Sequence, residues 1–247
     1  MASLSTPPLN ESEGAFLCWL FDAGLWPRVA THFLNGRDTC AFQFPDNSYH
    51  PSRKVQLLYR EEFQAKLLAG PPPEGRSVGF YTPNAQNLTR WACLDFDGSA
   101  KHSSQYYRAK DAFQWLQAHQ CEVLVERSSD FDGRQAYHVW VVWPDFRPAK
   151  EARELLNECW RGLNFPDHKP EIFPKVDSVK RTAKGLGNLV RLFGMYHQAK
   201  RCWSAVRAVT PGFFDALTTD VPACGKHTVP AAITAGAFPE PERETVY

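Results

Sequence analysis

The sequence lacks any imbalance of charge: 28 lysines and arginines stand against 27 aspartates and glutamates, for a formal charge of +1. This excludes a globally basic coat, so any nucleic-acid contact must come from a local patch. Paired cysteines are also missing. The seven, Cys18, Cys40, Cys93, Cys121, Cys159, Cys202 and Cys224, are odd in number and scattered, with no Cys-x-x-Cys spacing. This pattern favours free thiols in a reducing, cytoplasmic setting over a disulfide framework and speaks against a structural zinc site. No run approaches the ~20 apolar residues of a membrane span. The apolar stretch at 15–21 is short and follows Glu11 and Glu13 instead of a basic segment, so it is expected to be an amphipathic helix and not a signal peptide. Internal repeats are absent. What the 247 residues do have is ample apolar content, 43%, for a packed interior.

Residues 11–35 read as helical with a break at 24–27, where Gly24 and Pro27 interrupt the pattern. Phe63, Leu67 and Leu68 recur at helical spacing up to Gly70, and Pro71, Pro72 and Pro73 punctuate the chain there. Residues 77–82 and 90–97 read as strands joined by a polar turn, and Tyr106, Ala109, Phe113 and Leu116 mark a helix. Residues 121–127 and 136–143 read as a hairpin around a loop at 128–133, followed by a second amphipathic helix through Ala152, Leu155, Leu156, Cys159 and Trp160. This order predicts an α+β fold with a sheet covered on one face. Three divisions are expected: an N-terminal helical and mixed lobe (1–76), a core (77–210), and a proline-punctuated, partly ordered C-terminal extension (211–247).

Three motifs carry chemistry. In Asp95-Phe96-Asp97, strand alternation puts both aspartates on one face about 6.6 Å apart and sends Phe96 into the opposite layer. Two such carboxylates suit a hard divalent cation, although an Asp-x-Asp at a strand end also serves as a plain turn or solvated edge. In 134–140, Arg134, Ala136, His138 and Trp140 share one strand face; an imidazole beside a guanidinium can hold phosphate oxygens, or the histidine can be a core residue. Downstream come Asp177 in Phe-Pro-Lys-Val-Asp, and Gly185-Leu-Gly-Asn-Leu-Val-Arg191. From Lys175 to Arg207, eight cations face a single carboxylate, interleaved with Phe193, Tyr196 and Trp203. That composition suits a groove following a phosphate backbone and stacking bases, and equally a solvated basic face.

Taken in order, these motifs over residues 77–210 resemble the archaeo-eukaryotic primase superfamily, in particular the primase-polymerase domains of mobile elements and conflict systems. The resemblance implies an RRM-like catalytic core with an additional N-terminal α/β lobe. It implies Asp95, Asp97 and Asp177 as catalytic metal ligands for Mg²⁺ or Mn²⁺, and Arg134, His138, Lys175, Asn188 and Arg191 as nucleotide-binding residues, with Ala136 where relatives carry a serine. Lys180, Arg181, Lys184, Tyr196, His197, Lys200 and Arg201 are then expected to meet nucleic acid. The activity implied is template-dependent DNA primase-polymerase chemistry, with nucleoside triphosphates and single-stranded DNA template as partners. With no recognisable helicase segment, unwinding is expected either to be unnecessary or to come from a separate helicase. Two other readings use the same residues: a carboxylate-metal nuclease, and a non-catalytic replication-initiation or single-strand-binding module.

Overall fold

The structure, a computed structural model, describes residues 14–98, 105–163, 169–181 and 186–217. In chain order it contains α1 (Ala15–Asp22), α2 (Trp26–Leu34), β1 (Cys40–Gln43), β2 (Tyr49–Ser52), α3 (Glu61–Leu68), β3 (Ser77–Thr82), β4 (Leu88–Phe96) and α4 (Tyr106–Ala118). There follow β5 (Glu122–Phe131), β6 (Arg134–Pro148), α5 (Ala149–Gly162), β7 (Glu171–Phe173), β8 (Asn188–Arg191), β9 (Tyr196–His197), β10 (Cys202–Trp203) and β11 (Ala205–Val209). The fold is mixed α/β, with antiparallel sheets and five α-helices among the described residues. None of these helices is long and apolar enough to cross a membrane.

Local sequence explains the boundaries. Pro27 sits in the first turn of α2, where its missing N–H would have had no helical partner. The same helix stops at Asn35, which takes the left-handed conformation at φ 59°. Between β5 and β6 the chain reverses over Asp132 (φ 54°) and Gly133 (φ 67°), the two positive dihedrals that a tight, twist-compatible hairpin requires.

Two larger sheets organise the molecule. One has the order β2-β1-β3-β8, the other β11-β5-β6-β4-β7, and a short β9–β10 ribbon stands beside them. The five-stranded sheet is covered on both faces, not on one. Alternation along its strands sends Ala92, Leu94, Phe96, Val123, Val125, Val139 and Val141 against α4 and α5. The intervening Trp91, Cys93, Leu124 and Trp140 face Phe16, Leu20, Trp26 and Phe33 of α1 and α2. The one-sided expectation failed because the apolar N-terminal helices fold back onto the sheet that follows them.

One further expectation needs correction, and two are made more definite. β3 and β4 occupy the predicted stretches on either side of a turn, and they enter different sheets: β3 takes β1 and β8 as partners while β4 takes β6 and β7. The hairpin loop is shorter than 128–133, since β5 continues to Phe131 through a bulge at Ser128. Of the extension expected from residue 211, the described part buries Phe213, Phe214 and Leu217 in the core; residues 218–247 lie outside the described residues.

Candidate functional site

Strand register assembles the site. Glu126 on β5 lies opposite His138 on β6, His138 lies opposite Asp95 on β4, and Asp95 lies opposite Glu171 on β7. Directly opposed residues point to the same face, so four adjacent strands, each about 4.8 Å from the next, present a single row: carboxylate, imidazole, carboxylate, carboxylate. His138 Nδ1 is 2.8 Å from Glu126 Oε1, and its Nε2 is 3.4 Å from Asp95 Oδ1. Asp97, just beyond the end of β4, joins Asp95 on this side while Phe96 enters the opposite core layer.

The row opens into a cleft of about 440 Å³ between the two large sheets. From the five-stranded sheet it is lined by Asp95, His138, Ser128, Ser129 and Glu171; from the other, by Tyr49, Asn188 and Arg191. Lys175, His197 and Lys200 complete the rim. The bulge makes Ser128 the extra residue between Arg127 and Ser129, which is how two successive serines both reach the cleft. β8 can approach because Gly187, at φ 78°, has no side chain: a Cβ there would lie 2.6 Å from the Thr82 carbonyl oxygen. Asn188 Oδ1, the next side chain along, is buried without a hydrogen-bond partner and faces this cavity.

The electrostatics follow from crowding charges away from water. Burial works against protonation of His138, but the flanking Asp95 and Glu126 overcome it and raise its pKa to about 9. Burial would raise both neighbouring carboxyls, yet His138 holds Asp95 and Glu126 below their ordinary range. Asp97 goes the other way, raised by burial and then by the adjacent Asp95 charge. His197 is driven down to about 2 by burial, with Arg191 and Lys200 adding repulsion, and is therefore neutral. Tyr49 is pushed up to about 12, chiefly by burial.

Of the residues singled out in the sequence, Asp95, Asp97, His138, Lys175, Asn188, Arg191, His197 and Lys200 come together here. Others do not. Asp177 is held by Arg153 of α5 at 2.7 Å and is not among the residues lining the cleft. Arg134 is exposed at the start of β6, four residues and ~13 Å of strand from His138. Tyr196 is buried edge-to-face against Trp203 with ring centroids 5.5 Å apart, and Phe193 is fully buried, so these aromatics build the interior instead of a stacking platform. Lys180 and Arg201 are exposed away from the lining; Arg181 belongs to a short 3-10 turn, its side chain outside the description, and Lys184 and Gly185 lie outside the described residues. Arg191 reaches the cleft but also braces the fold, donating to the Met195 carbonyl at 3.0 Å and the Ser128 carbonyl at 2.6 Å.

Sequence reasoning missed Glu126, Glu171, Tyr49 and the two serines. Glu126 had a weak signal, a carboxylate directly after the apolar run Val123-Leu124-Val125 and two residues on from Leu124, hence on the same strand face. Glu171 had a weaker one, alternation with buried Ile172 on a strand of only three residues. Tyr49 had none, because only the sheet pairing of β2 brings it across the cleft.

The donor chemistry suits a hard divalent cation. Asp95 Oδ1 is buried without a well-directed hydrogen bond, and Asp97 stands beside it on the same side of the sheet, so two carboxylates are available to one hard cation. Glu171 is the third carboxylate at this opening, paired to Lys175 Nζ at 2.6 Å. Among the described residues no three His, Cys, Asp or Glu side chains converge closely enough to form a finished metal cage.

No curated protein matches the chain. A family model described as the archaeo-eukaryotic primase domain of the TOTE conflict system matches residues 37–202, a span that runs from just before β1 to β10 and contains every cleft-lining side chain named above. Primase-type nucleotidyl transfer is the chemistry of that family, and this chain belongs to it: it is an archaeo-eukaryotic primase domain of the conflict-system type.

Proposed function

We propose that the chain is a template-dependent DNA primase-polymerase, joining nucleotides from nucleoside triphosphates to a strand paired with single-stranded template. The observation that carries this reading is one cleft holding the Asp95, Asp97 and Glu171 carboxylates together with the cations His138, Lys175, Arg191 and Lys200. Asp95 and Asp97 would hold Mg²⁺ or Mn²⁺, with Glu171, on the strand beside Asp95, as a further carboxylate at the opening. A bound divalent ion would lower the pKa of the attacking hydroxyl and neutralise charge on the triphosphate. In the reaction the strand's 3′-hydroxyl releases its proton to solvent, its oxygen bonds to the α-phosphorus, and the bond to pyrophosphate breaks. Protonated His138 and the lysines offer donors to the phosphate oxygens, and Asn188 Oδ1 waits for a donor from the nucleotide. Catalysis would come from positioning and charge neutralisation, with no covalent enzyme intermediate.

The order β4-α4-β5-β6-α5-β7, with its strands arranged β5-β6-β4-β7, supports reading the five-stranded sheet as an RRM-like core; α1 to β3 would be the added N-terminal lobe. A carboxylate-metal nuclease would need the acidic side of the cleft but not the cationic side, which is why polymerisation is the better reading. The test is incorporation on single-stranded template, with and without primer, in Mg²⁺ and in Mn²⁺. Extension by the wild type that disappears in Asp95→Asn supports the proposal. Degradation of the labelled strand without incorporation would favour the nuclease, and neither activity would leave a binding module.

A further inference from the structure

We infer that Glu126 is a positioning residue for His138, acting on the nucleotide without touching it; the inference rests on reading the cleft as the nucleotide site. Glu126 is fully buried in the middle of β5. Its Oε1 accepts from His138 Nδ1 at 2.8 Å and from Trp140 Nε1 at 3.3 Å, while Oε2 accepts from the Gly194 backbone N–H at 3.2 Å. Burying a carboxylate is expensive, and an apolar residue of the same volume would pack at least as well beside Leu124 and Trp140. Three donors converging from β6 and from the turn between β8 and β9 make the burial tolerable and give the carboxylate a direction.

An ionised carboxylate only accepts, so Nδ1 of His138 carries a hydrogen and the ring plane is fixed. The other ring nitrogen, Nε2, is left facing Asp95 and the cleft. Through Oε2 the same carboxylate fastens the Gly194 turn, which follows Arg191, itself bonded to the Ser128 carbonyl on β5. One buried side chain thus ties the imidazole on one sheet to the segment that carries the guanidinium on the other.

A double-mutant cycle in primer extension tests this, with Glu126→Gln, His138→Ala and the combination. Glutamine keeps the shape, but its amide NH₂ must face either the His138–Trp140 donors or the Gly194 N–H. Loss of the outer partner that orients a metal-ligating histidine typically costs roughly 10–100-fold; by analogy, for a histidine oriented toward phosphate we expect a nucleotide KM raised about 10-fold with a smaller change in kcat. In the His138→Ala background the same substitution should add nothing. Additive losses would overturn the inference, because Glu126 would then act on the fold at large. Nitrogen NMR of the wild-type imidazole supplies a readout that survives a poorly folding variant: we expect an exchange-protected proton on Nδ1, and a bare Nδ1 would overturn the positioning role outright. An Nδ1 proton combined with an unchanged KM in His138→Ala would instead sink the nucleotide reading of the cleft and leave Glu126 a structural acceptor.

Discussion

Glu171 and Asp177 come from the same short stretch of chain, yet only Glu171 sits on a strand hydrogen-bonded to the one that carries Asp95. Asp177 lies beyond that strand and is neutralised by Arg153. Glu171→Gln should therefore lower incorporation by roughly 100-fold or more, beyond what an outer partner of a metal ligand costs, while Asp177→Asn should stay within a few-fold. Single-turnover incorporation at saturating Mn²⁺ measures both, and the reverse ranking would return the third carboxylate to Asp177. Away from the cleft, His32 gives a stability prediction with a definite sign. Buried beneath β4 and bonded to the Arg90 carbonyl at 3.1 Å, it has its pKa lowered from 6.5 to about 4, mainly by burial. The unfolded chain takes up a proton near pH 6.5 and the folded chain does not until about 4, so stability is full above 6.5 and falls as pH drops through that window. The loss from this one group is roughly 2 kcal/mol at pH 5. Urea midpoints at pH 7.5 and pH 5 should differ accordingly, and His32→Gln should shrink the difference.

At the scale of elements, Asp-Phe-Asp-Gly occurs twice, and the β5–β6 hairpin holds the second copy. The first copy ends β4 inside the site; in the second, Asp130 pairs with Arg127 at 3.0 Å and Asp132 occupies the turn. Asp130→Ala with Asp132→Ala should keep incorporation within a few-fold of wild type. Gly133→Ala meets no neighbour within 4 Å, so its cost is purely the left-handed backbone, about 1–2 kcal/mol, visible as a lower Tm with KM unchanged. These elements were largely legible in sequence because alternation and turn chemistry are local. β3, α3, α4 and the faces of Asp95, Phe96 and His138 all followed from periodicity. Partnership was not legible: nothing within 77–97 says that β3 and β4 part company, and a three-residue strand such as β7 is too short to show a period. The basic, aromatic stretch misled for a related reason, since composition cannot distinguish a core aromatic such as Phe193 from an exposed one.

At the scale of the whole molecule, both large sheets share one aromatic interior. Phe33 of α2 stands at its centre, with ring centroids 6.3 Å from Phe80 on β3, 5.5 Å from Trp91 on β4, 5.5 Å from Trp140 on β6 and 5.3 Å from Phe193. Phe33→Ala should cost about 3–5 kcal/mol. Because the ring contacts both sheets, calorimetry should show the loss in one cooperative transition. Two separated transitions would mean that the sheets melt independently.

The row across β5, β6, β4 and β7 has a consequence for how activity is counted. Register changes only in whole residues, and a slip of one turns every side chain of the slipped strand to the opposite face. A molecule therefore either has Glu126, His138, Asp95 and Glu171 abreast or has lost at least one of them from the cleft; there is no graded misalignment between the two. Activity lost through mispairing of these strands would therefore appear as a mixture of intact and inert molecules, with unchanged KM and a number of titratable nucleotide sites reduced in proportion. The turnover of this domain doubles as a census of correctly paired sheets.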